Sequence, residues 1–376
     1  MIRVCHMTTV HSATDVRILH KEAASLAAAG YDVTILAPCD ESFEYQGVRV
    51  LSAMKPGFGR MKRMLFGSWM IYRKARRLDV NIYHIHDPEL ILCGLWLKRK
   101  GKHVIFDAHE DLPLQIMAKH YIPSWLRIPA ARWVAWLQHR WLRRYDAVVV
   151  ATPSIGQSLR QPELPIVLVR NLPLLSEFQP VPEMRSKQDR VCYIGGIFKV
   201  RGIIPLMKSL PLAGVRLALA GTYSPPELRD ELRRMPEWAY VDELGFLDRE
   251  EVSNLLPECL AGMVTLLPSP NFLTSLPVKM FEYMASGIPV IASAFPLWKE
   301  IISEADCGIC VDPHCPEEIA TAIQYLMTHP ERAGQMGRHG REAVMGRYHW
   351  EAEKDALLEL YAALTSGATG IKEKEV

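Results

Sequence analysis

The sequence predicts an α/β protein made of two doubly wound, Rossmann-like domains. Three observations predict it. Short apolar runs alternate with helix-compatible stretches through both halves of the chain, the pattern of parallel strands joined by crossover helices. A stretch with several prolines and few periodic apolar positions, 171–188, interrupts that alternation and reads as a linker. Beyond it the pattern starts again, with a strand running into Gly195-Gly196 before a helix. At 376 residues, 49% hydrophobic and 23% charged, the chain is long enough for two cores and has an ordinary globular balance. The expected domains are therefore 1–170 and 189–350, followed by an amphipathic helix at 351–364 and a disordered tail at 365–376.

In the first half, strands are expected at Ile2–His6, Val33–Leu36, Val48–Leu51, Ile82–Ile85, Val104–Ala108 and Ala147–Ala151. The clearest helix is Arg17–Ala29, which stops at Gly30 as a left-handed terminator would require. Ligands of open parallel sheets sit beyond the carboxyl ends of the strands, so the polar residues there are the candidates for chemistry. After the first strand His11, Asp15 and Arg17 could line a site, or Ser12, Thr14 or Asp15 could simply cap the helix. His84, His86, Asp87 and Glu89 follow the fourth strand, and Asp107, His109, Glu110 and Asp111 the fifth. Packing alone does not explain two such clusters at successive strand ends.

The second half has strands at Arg190–Ile194, Arg216–Ala220, Val241–Leu244, Ala261–Leu267 and Val290–Ala292. Helices are expected at Pro225–Met235, Lys279–Ala285, Pro316–His329 and Glu331–Val344. Gly195-Gly196, with Lys199 and Arg201-Gly202 close behind, lets backbone N–H groups approach a pyrophosphate; two glycines can equally make a tight turn. The longest informative stretch runs from Ser269 to Ser293. Its polar loop feeds a helix whose start presents free N–H groups and a positive dipole end to an anion. Lys279 and Glu282, three apart, share one helix face: a cation for phosphate beside a carboxylate for vicinal hydroxyls. Cys307, Cys310, Cys315 and His314 have metal-like spacing, but the same residues read as a strand and turn, and no metal site is assigned to them.

Ala285-Ser286-Gly287-Ile288-Pro289-Val290, with Glu282 just before it, resembles the donor-site segment of family 4 retaining glycosyltransferases. The first Glu of that family's paired-Glu pattern falls on Thr274 here, and Gly196 and Arg201 stand where the family carries an Arg and a Lys. The resemblance implies a GT-B fold, with the two Rossmann-like domains facing across a cleft. It implies that 1–170 receives the acceptor, that 189–350 binds a nucleotide-diphosphate sugar, and that the helix at 351–364 crosses back to the first domain. Residue by residue, it places His109 near the reacting carbon, and Arg201 and Lys279 against the leaving diphosphate. Gly195, Gly196, Gly245, Phe246, Thr274, Ser275, Leu276 and Glu282 complete the implied donor site, Glu282 on the ribose. No cofactor and no metal are expected, since no Asp-x-Asp motif is present. Two other classes remain open: a nucleotide-sugar epimerase of the same fold, and a degenerate, non-catalytic partner subunit.

Charge and cysteine usage add the setting. Net charge is only +2, yet the first half is basic and the second acidic. Arg60–Arg77 and Trp125–Tyr145 interleave Arg and Lys with Trp, Phe and Met, which suits an anionic membrane surface. Nucleic acid is not expected as a partner, because no recognised binding motif accompanies the charge. The first residues are too polar for a signal peptide, no run is long enough to span a membrane, and eight Cys suggest reduced thiols. The expectation is a cytoplasmic enzyme, peripheral at the inner face of the membrane, using a lipid-linked or glycan acceptor in polysaccharide, glycolipid or O-antigen synthesis.

Overall fold

The computed structural model describes residues 1–119, 122–178 and 189–366. The later part of the expected linker, 179–188, and the expected tail from 367 on lie outside the described residues. By its internal contacts the chain forms two units: Met1–Asn171 with the stretch from Glu353 onward, and Leu172–Ala352.

The first unit is built on β1 (Arg3–Met7), β2 (Asp32–Pro38), β3 (Phe43–Tyr45), β4 (Val48–Met54), β5 (Ile82–Ile85), β6 (His103–Ala108), β7 (Ala147–Val150) and β8 (Ile166–Leu168). They form one sheet in the order β3-β4-β2-β1-β5-β6-β7-β8. Every pairing is parallel except β3 with β4. The order reverses direction between β1 and β5, and this switch point places the ends of those two strands at a crevice. Helices on both faces explain why β7 reads Ala-Val-Val-Val with every residue buried. The strands β3 and β8 carry too few residues to be legible in advance. β3 joins β4 through Gln46 and Gly47, both at positive φ, a turn that a Gln does not advertise.

The helix expected at Arg17–Ala29 is present as Val16–Ala23, wound with a π-type hydrogen-bond pattern, continuing as Ala24–Ala28. Asp15 caps it, accepting from the N–H groups of Arg17 (2.9 Å) and Ile18 (3.1 Å). The final helix, Trp350–Ser366, buries Leu357, Leu360 and Tyr361, and Glu353 takes the Arg170 guanidinium at 2.6 Å.

The second unit carries β9 (Arg190–Ile194), β10 (Arg216–Ala220), β11 (Val241–Gly245), β12 (Gly262–Val264), β13 (Val290–Ser293) and β14 (Gly308–Val311). Its sheet, all parallel, has the order β11-β10-β9-β12-β13-β14, so the switch point lies between β9 and β12. The strand expected at Ala261–Leu267 pairs only over Gly262–Val264; beyond it Thr265 and Leu266 leave the ladder to line the strand ends. The core beneath holds Tyr283 and Trp298 fully buried, with the Trp298 indole N–H donating to the Ser275 carbonyl at 2.7 Å. Cys307, Cys310, Cys315 and His314 do not gather: no three of them bring metal-capable atoms within 4.8 Å. Cys310 is instead a residue of β14, and all eight cysteines are free thiols.

Candidate functional site

In the second unit the site grows from the end of β9. Gly195 has φ +113°, and a Cβ there would lie 3.9 Å from both the Arg201 Nη1 and Lys279 Nζ atoms, so the two cations border this glycine. The chain then makes a short turn, Lys199–Arg201, and enters the helix Ile203–Ala213 through Gly202 (φ +75°). A Cβ at Gly202 would stand 1.7 Å from the Thr265 carbonyl oxygen, which is why β12 and this turn can approach so closely. The Arg201 guanidinium lies over the Phe198 ring at 5.0 Å and donates to the Gly196 carbonyl at 3.3 Å.

Lys279 sits on the helix Val278–Ala285. Its Nζ is enclosed, 3.7 Å from the Tyr193 ring centroid, and makes no hydrogen bond. Burial, and next the neighbouring Arg201, push its pKa well below that of an ordinary lysine. Two cations held side by side with an unsatisfied ammonium form a receptor for an anion.

Glu282, one turn further, is not a free carboxylate. Its Oε1 accepts from Arg249 Nη1 at 2.7 Å, and Arg249 also binds Glu177, through Nε at 3.2 Å and through Nη2. Burial disfavours the Arg249 charge, but Glu282 and Glu177 outweigh it and raise the pKa. Arg249 stands one residue after Asp248, which caps the helix Arg249–Leu255 in a reciprocal box with Glu251.

The remaining donor-side residues divide. Gly245, at the end of β11, accepts from the Gly221 N–H at 2.7 Å, joining the row of strand ends that leads to Gly195. Phe246 is 79% exposed, an aromatic ring left in water. Thr274 closes the short helix Pro270–Leu273, the Ser275 hydroxyl donates back to the Phe272 carbonyl at 3.1 Å, and Leu276 packs on the core. The structure thus brings Gly195, Gly196, Arg201 and Lys279 together around one point, with Glu282 one helical turn along.

In the first unit His109 follows β6. Its Nε2 is 3.0 Å from Asp107 Oδ2 and 3.2 Å from His86 Nδ1, and its ring lies 4.7 Å from that of His11. Asp107 is fully buried, yet the Arg17 guanidinium, bonded to both its oxygens at 2.9 Å, and then His109 hold its carboxyl well below the usual range against the opposing effect of burial. His86 is pushed down to about 4, chiefly by burial. His11 is raised: burial opposes its charge, but the hydrogen bond to Asp15 and the charge of Asp87 prevail. His11, Asp15, Arg17, His86 and His109, read separately in the sequence, therefore form one network through Asp107. Glu22 and His6 belong to it as well and carried no signal, one being a mid-helix residue and the other a strand residue.

Two family models match the chain in succession: Glycosyltransferase Family 4 over residues 16–171 and Glycosyl transferases group 1 over residues 176–343. The chain belongs to the family 4 glycosyltransferases. It is 30% identical over 190 residues to the D-inositol 3-phosphate glycosyltransferase of Segniliparus rotundus, a match covering 47% of this chain and 41% of that protein, less than half its length. It is 23% identical over 395 residues to the glycogen synthase of Mycobacterium tuberculosis, covering 93% and 91%. Among solved structures, the sucrose-phosphate synthase of Thermosynechococcus elongatus superposes with a TM-score of 0.80 at 19% identity, covering 98% of this chain and all of that one. Anabaena HepE, solved with UDP and glucose, gives 0.73 at 14% identity, covering 96% and 100%. At these identities the likeness shows the fold, GT-B. As a family member the chain is a glycosyltransferase.

Proposed function

We propose that this glycosyltransferase moves a sugar, with retention, from a nucleotide-diphosphate donor to a hydroxyl of a lipid-linked acceptor, in polysaccharide, glycolipid or O-antigen synthesis. The observation that carries the reading is Lys279: a buried ammonium without a hydrogen bond, next to Arg201 and the Gly195-Gly196 turn. A diphosphate supplies the missing acceptor, and as it leaves with developing charge the two cations stabilise it, a contribution of about 3–4 kcal/mol per well-placed donor. No metal is needed at that point, because the side chains supply the positive charge. Glu282 takes the ribose hydroxyls, and His109 serves the acceptor side in the role the family resemblance implies. Anabaena HepE has been solved with UDP-glucose, which supports a nucleotide sugar as the class of donor.

The lipid-linked acceptor rests on a second observation. In the first unit the helix Ile91–Lys98 lies beside both Ser68–Ala75 and Ser124–Leu142. Trp69, Trp96, Trp125, Trp133 and Trp136 on them are between 39% and 74% exposed, with Arg73, Lys74, Arg76 and Arg77 at the surface nearby. Trp with Lys and Arg is the composition of a headgroup-level contact, and no helix among the described residues is long and apolar enough to cross a membrane. Calorimetric titration with UDP, GDP and ADP tests the donor site: wild type should bind at least one of them, and Lys279→Met should lose that binding. A folded wild type that binds none of the three, or a Lys279→Met variant that binds as well as wild type, overturns the reading.

A further inference from the structure

Beneath the carboxyl ends of β1 and β5 lies a second set of groups that the donor site does not use. His6 comes from β1, His84 and His86 from β5 and its end, and Glu22 from the helix Val16–Ala23. All four are buried, none more than 2% exposed. One metal-capable atom from each lies within 4.8 Å of those of the others. Glu22 Oε2 stands 4.0 Å from His6 Nδ1, 3.9 Å from His84 Nδ1 and 4.0 Å from His86 Nε2, while His6 Nδ1 is 2.9 Å from His86 Nε2. A tetrahedral ion with bonds of about 2.0–2.1 Å needs ligand atoms about 3.3 Å apart, and these four separations lie on either side of that spacing.

Two further facts point inward to a ligand. Glu22 pairs with Arg17 through Oε1, 2.9 Å from Nε, and its Oε2 faces the three imidazoles at 3.9–4.0 Å. His86, for its part, turns its other nitrogen, Nδ1, to Asp107 Oδ2 at 3.3 Å, the carboxylate–imidazole pairing that orients a metal-bound histidine. His84 Nδ1 additionally meets the Tyr361 hydroxyl at 2.9 Å, so binding through that nitrogen displaces the hydroxyl to the outer shell, whereas a flipped ring offers Nε2.

We propose that His6, Glu22, His84 and His86 form a site for one divalent first-row metal ion, of the zinc type, in a closed arrangement of three nitrogens and one oxygen. Such a ligand set suits Zn²⁺ and its borderline neighbours rather than Mg²⁺ or Ca²⁺. With four protein ligands and no open position the ion is structural. It ties β1, β5 and the first helix at the switch point, and fixes His86 so that Nδ1 faces Asp107 and His109. This site differs from the metal-free diphosphate contact proposed above and does not depend on it, and it departs from the metal-free expectation drawn from the sequence.

The test uses the full chain, stripped with chelator and titrated with Co²⁺. The expected result is saturation at about one equivalent, with the visible bands of tetrahedral Co²⁺ and displacement by Zn²⁺. Glu22→Gln and His6→Ala should abolish the bands, and the surface variant His314→Ala should keep them. Hydrogen exchange on the wild type gives a readout that needs no variant: Zn²⁺ should slow exchange at the ends of β1 and β5 and in the helix Val16–Ala23. A wild type that gives no tetrahedral Co²⁺ spectrum, bands that persist in both folded variants, or Zn²⁺ protection confined to other segments would overturn the proposal.

Discussion

Lys279 has given up water without gaining a hydrogen bond, and that imbalance makes a prediction about protons. In the free protein burial holds its pKa well below that of an ordinary lysine. A bound diphosphate favours the charged form and raises the pKa. Between those two values binding must take up a proton, and below both it must not. Calorimetry in buffers of different ionisation enthalpy should show net uptake for wild type at alkaline pH and none attributable to this residue in Lys279→Met. Equal uptake in both proteins would remove Lys279 from the diphosphate. Glu282 offers a complementary test. Its carboxylate is assigned to ribose rather than phosphate, and a charge-assisted hydrogen bond contributes about 1.5–3 kcal/mol. Glu282→Ala should therefore raise the Kd for a nucleoside diphosphate by roughly ten-fold or more while leaving pyrophosphate affinity almost unchanged. A parallel loss for both ligands would instead mean that removing Glu282, the partner of Arg249, disturbs the whole site.

At the scale of elements, the entry turn of the helix Ile203–Ala213 can be tested against its own exit. Gly202 and Gly214 bracket that helix at nearly the same φ, +75° and +71°. Around Gly214 there is open space, whereas a Cβ at Gly202 would run into the Thr265 carbonyl. Gly214→Ala should cost only the left-handed penalty, about 1–2 kcal/mol. Gly202→Ala should cost distinctly more and distort the strand ends, as denaturant unfolding of both variants will show; equal losses would mean that the β12 contact is not tight. Elements of this kind also mark how far the sequence could be read. Lys279, Glu282 and the Gly195-Gly196 turn were legible because their signal is local: a loop, a helix face, a strand end. Arg249 and Glu177 were not, because they meet Glu282 only through folding, from 33 positions away and, for Glu177, by way of Arg249 another 72 positions off. The sheets were legible from their buried apolar runs, while β3, β8 and the π-type turns at Val16–Ala23 were not, being too short or too ordinary in composition. Glu22 looked like any acidic residue on a helix; only the sheet order brings it among three histidines.

For the whole molecule, the uneven charge and the exposed Trp residues belong to the first unit and the diphosphate site to the second, so membrane attachment and donor chemistry should separate by mutation. Replacing Arg73, Lys74, Arg76 and Arg77 with Gln should weaken binding to anionic vesicles by up to about 1 kcal/mol per residue, more at low salt than at high. The affinity for nucleoside diphosphate should not move. Wild-type protein that ignores anionic vesicles at low salt, or binds neutral ones equally, would contradict the membrane reading. The central claim is that Lys279 and Arg201 receive the diphosphate of a nucleotide sugar, and release of nucleoside diphosphate tests it most directly. Wild type and Lys279→Met should be incubated with a panel of nucleotide sugars, with and without vesicles carrying bacterial lipid extract as acceptor. The account predicts release from at least one donor, faster with acceptor, and loss of that release in the folded variant. Release that is undiminished in Lys279→Met, or absent from wild type with every donor and acceptor, would contradict it.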